Sequence, residues 1–262
     1  MNQKNISFAG AGRVASALCK ELFAAGYKIE IVVSERKEGY KPLVESCSAI
    51  WSSDLVYPNS TKIIIVAVPD HKLEMVLNSI KCSQDTIIIH TAGSFGLEIF
   101  PENIKHKGVF YPLQTFSKNR TVSFTDLPVL LESSDDITSS ILVEIAGSLS
   151  AKVHFVNSER RRMLHLAAVF VSNFTNHMLT EGKEISSKAG FSFDMLAPLI
   201  NETISKALES GPENFQTGPA IRNDKNTIEK HLELLSFSPG LQKIYGDLTQ
   251  SIIDYYKDKR QK

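Results

Sequence analysis

The sequence predicts an α/β fold: a doubly wound, mostly parallel Rossmann-type sheet followed by an all-helical domain. Three observations carry this expectation. Short β-branched runs alternate with helical patterns through the first 156 residues. Two of those runs, KIIIVAV and TIIIH, are continuously apolar, as strands covered on both faces are. Beyond residue 156 strand-like runs cease and helical periodicity takes over. Repeated β-α-β alternation implies right-handed crossovers within one sheet. The expected domains are residues 1–156 and residues 157–262.

Ile6 to Ala9 reads as the first strand, and Arg13 to Ala25 as a helix with Val14, Leu18 and Leu22 at four-residue spacing. Gly26 is placed to end that helix, since glycine adopts the left-handed conformation of a C-terminal cap. Ile29–Val33, Lys62–Val68 and Thr86–His90 are the next strands, with a helix from His71 to Ile80 between the last two. Val109–Tyr111, Val129–Leu131 and Lys152–Val156 complete the sheet. Between Asp136 and Leu149, the residues Ile137, Ile141, Ile145 and Leu149 form a helical stripe. Four helices are expected after that: 158–188, 194–209, 224–235 and 239–257. Asp224 is placed to cap the third of these.

Composition narrows the function classes. Lys plus Arg equals Asp plus Glu at 29 each, so no overall field favours nucleic acid or an anionic membrane. The run Arg160, Arg161, Arg162 reads as a solvated basic face. Cys19, Cys47 and Cys82 form no CxxC pair, and the histidines show no ligand spacing, so no metal is expected. The polar start MNQKNISFAG and the lack of any apolar run near 20 residues suggest a soluble, cytoplasmic chain.

The strand-to-helix junction FAGAGRVASAL carries the first chemical signal. Gly10, Gly12 and Ala15 make a G-x-G-x-x-A pattern. Gly10 allows the tight turn, Gly12 lets a diphosphate reach the backbone, and Ala15 lets the helix lie close on the sheet. The free N–H groups of the helix start then hold the anion. Gly10, Ala11, Gly12, Arg13 and Val14 are therefore the expected phosphate-binding turn. At the end of the second strand, IVVSER places Ser34 where an acidic residue would bind the ribose of NAD, and Arg36 where a guanidinium would meet a 2′-phosphate. NADP is favoured over NAD, although a small register shift would bring Glu35 to the ribose.

The segments GAGRVASAL, IIIVAVPDHKL, IIIHTAGSFGLEIF, GVFYPLQTFSK, HLAAVFVSNFTNHM and TGPAIRND occur in this order. Together they resemble a bacterial family of NADP oxidoreductases with a Rossmann-like domain and a helical domain. That family is similar to 6-phosphogluconate dehydrogenase, pyrroline-5-carboxylate reductase and deazaflavin-dependent NADP reductases. The resemblance implies a cofactor domain, a helical homodimer-forming domain and a small-molecule substrate site between them. It implies that Val68, Pro69 and Asp70 lie beside the cofactor, and that His90 and Thr91 flank the nicotinamide. Hydroxyacid dehydrogenases of this superfamily carry a catalytic lysine one turn before an asparagine. Here Val169 and Phe170 stand one turn before Asn173, so that mechanism does not transfer.

The stretch HLAAVFVSNFTNHM sets polar residues among apolar ones. At about 100° per residue, His165, Ser172 and Asn176 fall within a roughly 40° arc, with Asn173 on its shoulder. Beside a nicotinamide, His165 would donate a proton, and Ser172 and Asn173 would polarise the group receiving hydride. Alternatively these side chains bond to one another or to neighbouring helices. His90 is open between a cofactor contact and a cap for local backbone, and Gln114 between substrate and its own loop. The expected activity is an NADP-dependent oxidoreductase acting on a carbonyl or imine; the alternative is an NADP(H)-responsive binding protein without turnover.

Overall fold

The computed structural model describes residues 5–35, 41–117 and 120–260. In chain order come β1 (Asn5–Ala9), α1 (Arg13–Ala24), β2 (Lys28–Val33), α2 (Lys41–Ser46), β3 (Ile50–Ser52) and β4 (Ile63–Val66). Next are α3 (Asp70–Ser79), β5 (Ile87–His90), β6 (Lys107–Pro112), β7 (Pro128–Ser133), α4 (Asp136–Ser148) and β8 (Lys152–Phe155). The described strands form one sheet in the order β3-β2-β1-β4-β5-β6-β7-β8. Every neighbouring pair is parallel except β6 with β7. The mostly parallel Rossmann-like sheet expected from the alternation is therefore present.

The apolar runs behave as doubly covered strands. In β4, Ile63 and Ile65 enter the core layer beneath α1 and α4, while Ile64 and Val66 enter the layer beneath α3. All four are buried, which is worth roughly 1.5–3 kcal/mol for each side chain. In α1, Ala15, Leu18, Cys19 and Leu22 face inward, and Gly26 ends the turn at φ +91°. Along α4, Ile141, Ile145 and Leu149 of the expected stripe pack against the core, with Thr138, Leu142 and Ala146 buried beside them. Ile137, at the helix start, departs from it and is 61% exposed. Asp135 caps this helix by accepting from the Thr138 amide at 2.9 Å, which turns Ile137 outward at the helix start.

Two elements lie outside the sequence expectation, α2 and the three-residue edge strand β3. The α2 segment brings together cysteines distant in sequence: the Cys19 thiol of α1 hydrogen-bonds Cys47, which comes just after α2. Both are free and buried.

Beyond β8 come α5 (Ser158–Ala168), a π-helical turn (Val169–Phe174), α6 (Thr175–Lys188), α7 (Ala197–Ser210), α8 (Pro219–Arg222), α9 (Lys225–Leu234) and α10 (Pro239–Arg260). The chain divides into two compact units, residues up to Asn173 and from Phe174 onward. The strands end near residue 156 as expected, but α5 belongs to the first unit. In the second unit, Asp224 caps α9 by accepting from the Thr227 amide at 3.1 Å. No described helix is long and apolar enough to cross a membrane. Among the described residues no group of three His, Cys, Asp or Glu side chains is placed to hold a metal.

Candidate functional site

The strand order reverses direction at β1. The chain winds from β1 to β2 and β3 on one side, then returns to β4 on the other. A crevice forms where the carboxyl ends of such strands diverge, and this is where open α/β sheets bind ligands. The turn after β1 and the segment after β4 flank that point.

Gly10 sits at φ +105°, with its amide donating to Val33 O at 2.9 Å. A Cβ there would overlap the carbonyl oxygen of Ala67 and lie 2.9 Å from its carbon, so only glycine fits. Gly12 caps α1 without a side-chain hydrogen bond, and the first turn holds no acidic residue. A Cβ on Gly12 would meet nothing closer than Ala67 O at 4.0 Å, so the space before the helix start is open to a ligand. Ala15 is buried against the sheet. Uncapped amides, a positive helix end and a clear approach suit a diphosphate.

Ala11, Gly12 and Arg13 open onto a cavity of about 760 Å³, whose lining also includes Ser16, Lys20 and Arg120. That volume is in the range of sites for cofactors and other small molecules. Val14 turns instead toward the core. Arg120, on the β6–β7 connection, was not expected from the sequence; no spacing there signals that it reaches the α1 side.

The other expected cofactor residues divide. Ser34 is buried, and its hydroxyl accepts the Trp51 indole N–H at 2.9 Å. Glu35 is paired with Lys72 of α3. Arg36 lies outside the described residues. Val68 packs against the α3-side core, Pro69 precedes α3, and Asp70 begins it with an exposed carboxylate. The Thr91 amide donates to Val66 O at 3.1 Å, tying the end of β5 to β4.

His90 takes the capping alternative. Its ring is buried, Nδ1 accepts from the Ala92 amide at 3.2 Å, and Nε2 lies 3.3 Å from Gly96 O. Phe100 stacks on it. Burial pushes the imidazole down to about 4, with the Gly96 carbonyl opposing and Arg161 adding to the effect. His90 therefore stays neutral and shapes the loop from within.

That loop, residues 91–98, is also held from α5. The basic run is not a solvated face throughout. Arg161 is fully buried, donating from Nη1 to Glu132 at 2.6 Å and from Nη2 to Phe95 O at 2.5 Å. Arg162 donates from Nε to Ser94 O at 3.0 Å and pairs with Glu98. Ser158, at the start of α5, donates to Glu132 at 2.9 Å. A Cβ on Gly96 would collide with Ser158, so the loop and helix approach as only glycine allows.

These locks set His165 in place. Its Nδ1 lies 2.8 Å from the Tyr111 hydroxyl, with the rings edge-to-face at a centroid distance of 5.7 Å. A Cβ on Gly93 would be 2.6 Å from the same nitrogen. Burial raises the Tyr111 phenol above its ordinary range, and the nearby Asp70 carboxylate raises it further. Tyr111 was not among the expected site residues.

The polar arc assumes an ideal α-helix, but Ser172 and Asn173 fall inside the π turn, whose i→i+5 bonding departs from that geometry. His165 instead meets Tyr111, on a strand. In the second unit, His177 pairs with Glu181 at 3.3 Å. Gln114 caps its own loop, accepting from the Thr115 amide at 2.8 Å.

Comparison with known proteins joins these features to a family. Residues 5–93 match the family model described as NADP oxidoreductase, coenzyme F420-dependent. Residues 127–252 match the domain of unknown function DUF2520. The Bacteroides fragilis protein BF3122, an NADP oxidoreductase by name and not by demonstrated activity, is 38% identical, with a TM-score of 0.88 over 96% of this chain and 98% of that one. Protein TM1727 of Thermotoga maritima is 21% identical, with a TM-score of 0.70 over 97% and 99% of the two chains. An imine reductase from Myxococcus stipitatus, in complex with NADP+, shares the fold at 15% identity, with a TM-score of 0.67 over 97% and 94%. No curated protein matches the chain.

Proposed function

The chain belongs to the NADP oxidoreductase family that joins a cofactor domain to DUF2520, and we propose that it reduces or oxidises a small carbonyl or imine compound. The observation that carries this reading is the hydrogen-bonded pair of Tyr111 and His165, on the carboxyl side of the same sheet that holds the glycine turn. When bound, the nicotinamide supplies or accepts the hydride. The amides at the start of α1 bind the diphosphate, while Arg13, Lys20 and Arg120 outnumber the Glu21 carboxylate around the adjoining cavity, which favours the more heavily phosphorylated NADP. The imidazole–phenol pair supplies the accompanying proton. Imine reduction is supported by the fold shared with the imine reductase, and the chain's assembly in this reading is a homodimer through the helical unit. Its support is α7, where Ile204 is 45% and Leu208 83% exposed, one turn apart on the same face.

A second reading, an NADP(H)-responsive binding protein without turnover, is favoured by Val169 and Phe170 where hydroxyacid dehydrogenases place lysine. Both readings meet one experiment. NADPH absorbance is tracked against a panel of cyclic imines, keto acids and aldehydes. The oxidoreductase reading expects substrate-dependent loss of NADPH that His165→Gln slows by about a hundredfold or more. Tight NADPH binding with no consumption across the panel supports the sensor.

A further inference from the structure

We propose that Tyr111 is itself a catalytic residue: its hydroxyl delivers the proton to substrate, and His165 stands behind it, donating from Nδ1 to the phenolic oxygen. This rests on the oxidoreductase reading and assigns within it a donor that the sequence did not single out.

The placement of the two side chains is the first argument. β6 runs parallel to β5, with Val109 opposite His90, so Tyr111 lies two residues further toward the carboxyl edge, where ligands bind. His165 reaches the phenol from α5. Its Nδ1 edge is enclosed by Tyr111 at 2.8 Å and by the Cα of Gly93, where even a methyl group would collide. A substrate has no room at Nδ1. The chemical inventory is the second argument. A phenol offers one donor and two acceptor lone pairs. If it accepts the imidazole N–H, its own proton remains for a third group. Burial and Asp70 both keep that proton on the oxygen, so the phenol enters the reaction as an acid.

The step balances in atoms and electrons. The substrate carbon gains hydride from the reduced nicotinamide, and its nitrogen or oxygen gains the Tyr111 proton. As the Tyr111 O–H bond breaks, protonated His165 passes its Nδ1 proton to the phenolic oxygen. Once product leaves, solvent returns a proton to the phenolic oxygen from the vacated side, and the proton shared with His165 moves back to Nδ1. The rigid loop of residues 91–98 keeps the pair aligned, through Arg161 on Phe95 O and Arg162 on Ser94 O.

The opposite polarity, Tyr111 donating to Nδ1, would make Tyr111 a positioning residue and leave Nε2–H as the acid. Nitrogen NMR of histidine-labelled protein separates the two without any substrate. At a pH where His165 is neutral, the wild type is expected to show the Nδ1–H tautomer, and Tyr111→Phe the Nε2–H tautomer common in water. A wild-type Nε2–H tautomer overturns the proposal. In turnover, Tyr111→Phe is expected to lower kcat about a hundredfold or more with NADPH affinity unchanged. His165→Gln should leave more activity than Tyr111→Phe. Retained kcat in Tyr111→Phe also overturns it. Failure of the wild type to turn over any substrate, with the Nδ1–H tautomer present, sinks the oxidoreductase reading and with it the catalytic role, but leaves the hydrogen-bond polarity standing.

Discussion

Gly10→Ala is expected to cost about 3–5 kcal/mol of folding stability, from backbone strain of roughly 1–3 kcal/mol and a similar steric cost. The position has φ +105°, and the added methyl group falls into the carbonyl of Ala67, a backbone atom at the end of β4 that cannot swing away. Relief requires the first turn of α1 to lift from the sheet, which displaces the amides proposed to bind phosphate. Gly26→Ala is the matched control. It sits at φ +91° with nothing within 4 Å of a new Cβ, so it carries the strain alone. Urea unfolding of both variants measures the difference. Equal losses would show that the contact with Ala67 does not hold the turn.

Arg161→Met is expected to cost about 3–5 kcal/mol, because it strands the Glu132 carboxylate beneath α5 and leaves Phe95 O without its donor. Shape is largely kept, so the loss comes from charge and hydrogen bonding and not from a cavity. The double variant with Glu132→Gln removes the stranded charge yet keeps an acceptor for Ser158. It should recover most of the loss, as buried ion pairs replaced as a unit often do. Denaturation of the two single variants and the double completes the cycle. A single Arg161→Met variant within about 0.5 kcal/mol of wild type would mean that the buried pair is not what fastens loop 91–98.

The contrast between these two sites shows what a sequence displays. Around Gly10 the constraint is local: a tight turn, a helix start and a strand before it all lie within a few residues, and steric limits permit few side chains. Arg161 reads as surface because arginine usually is. Its burial depends on Glu132 and Phe95, which approach it only after the sheet and α5 have packed. Tyr111 and His165 are likewise separated along the chain by β7, α4 and β8, and neither segment signals the other. The π turn hides for a different reason. VFVSNF continues the helical composition on both sides, so nothing marks the turn that departs from the ideal helix on which His165, Ser172 and Asn176 align. β3 has only three residues, and α2 has too few turns for a period to emerge. α4 shows that a periodic stripe can hold along a helix and fail at its start, since Asp135 sets where the helix begins and leaves Ile137 outside the packed face.

If the uncapped start of α1 grips the diphosphate of NADP, calorimetric titration of folded protein with NADPH and NADH will detect it. Saturable binding is expected at one NADPH per chain, tighter than NADH, and lost in Gly10→Ala under conditions where that variant remains folded. Absence of heat with either nucleotide, from protein with a cooperative unfolding transition, would contradict it.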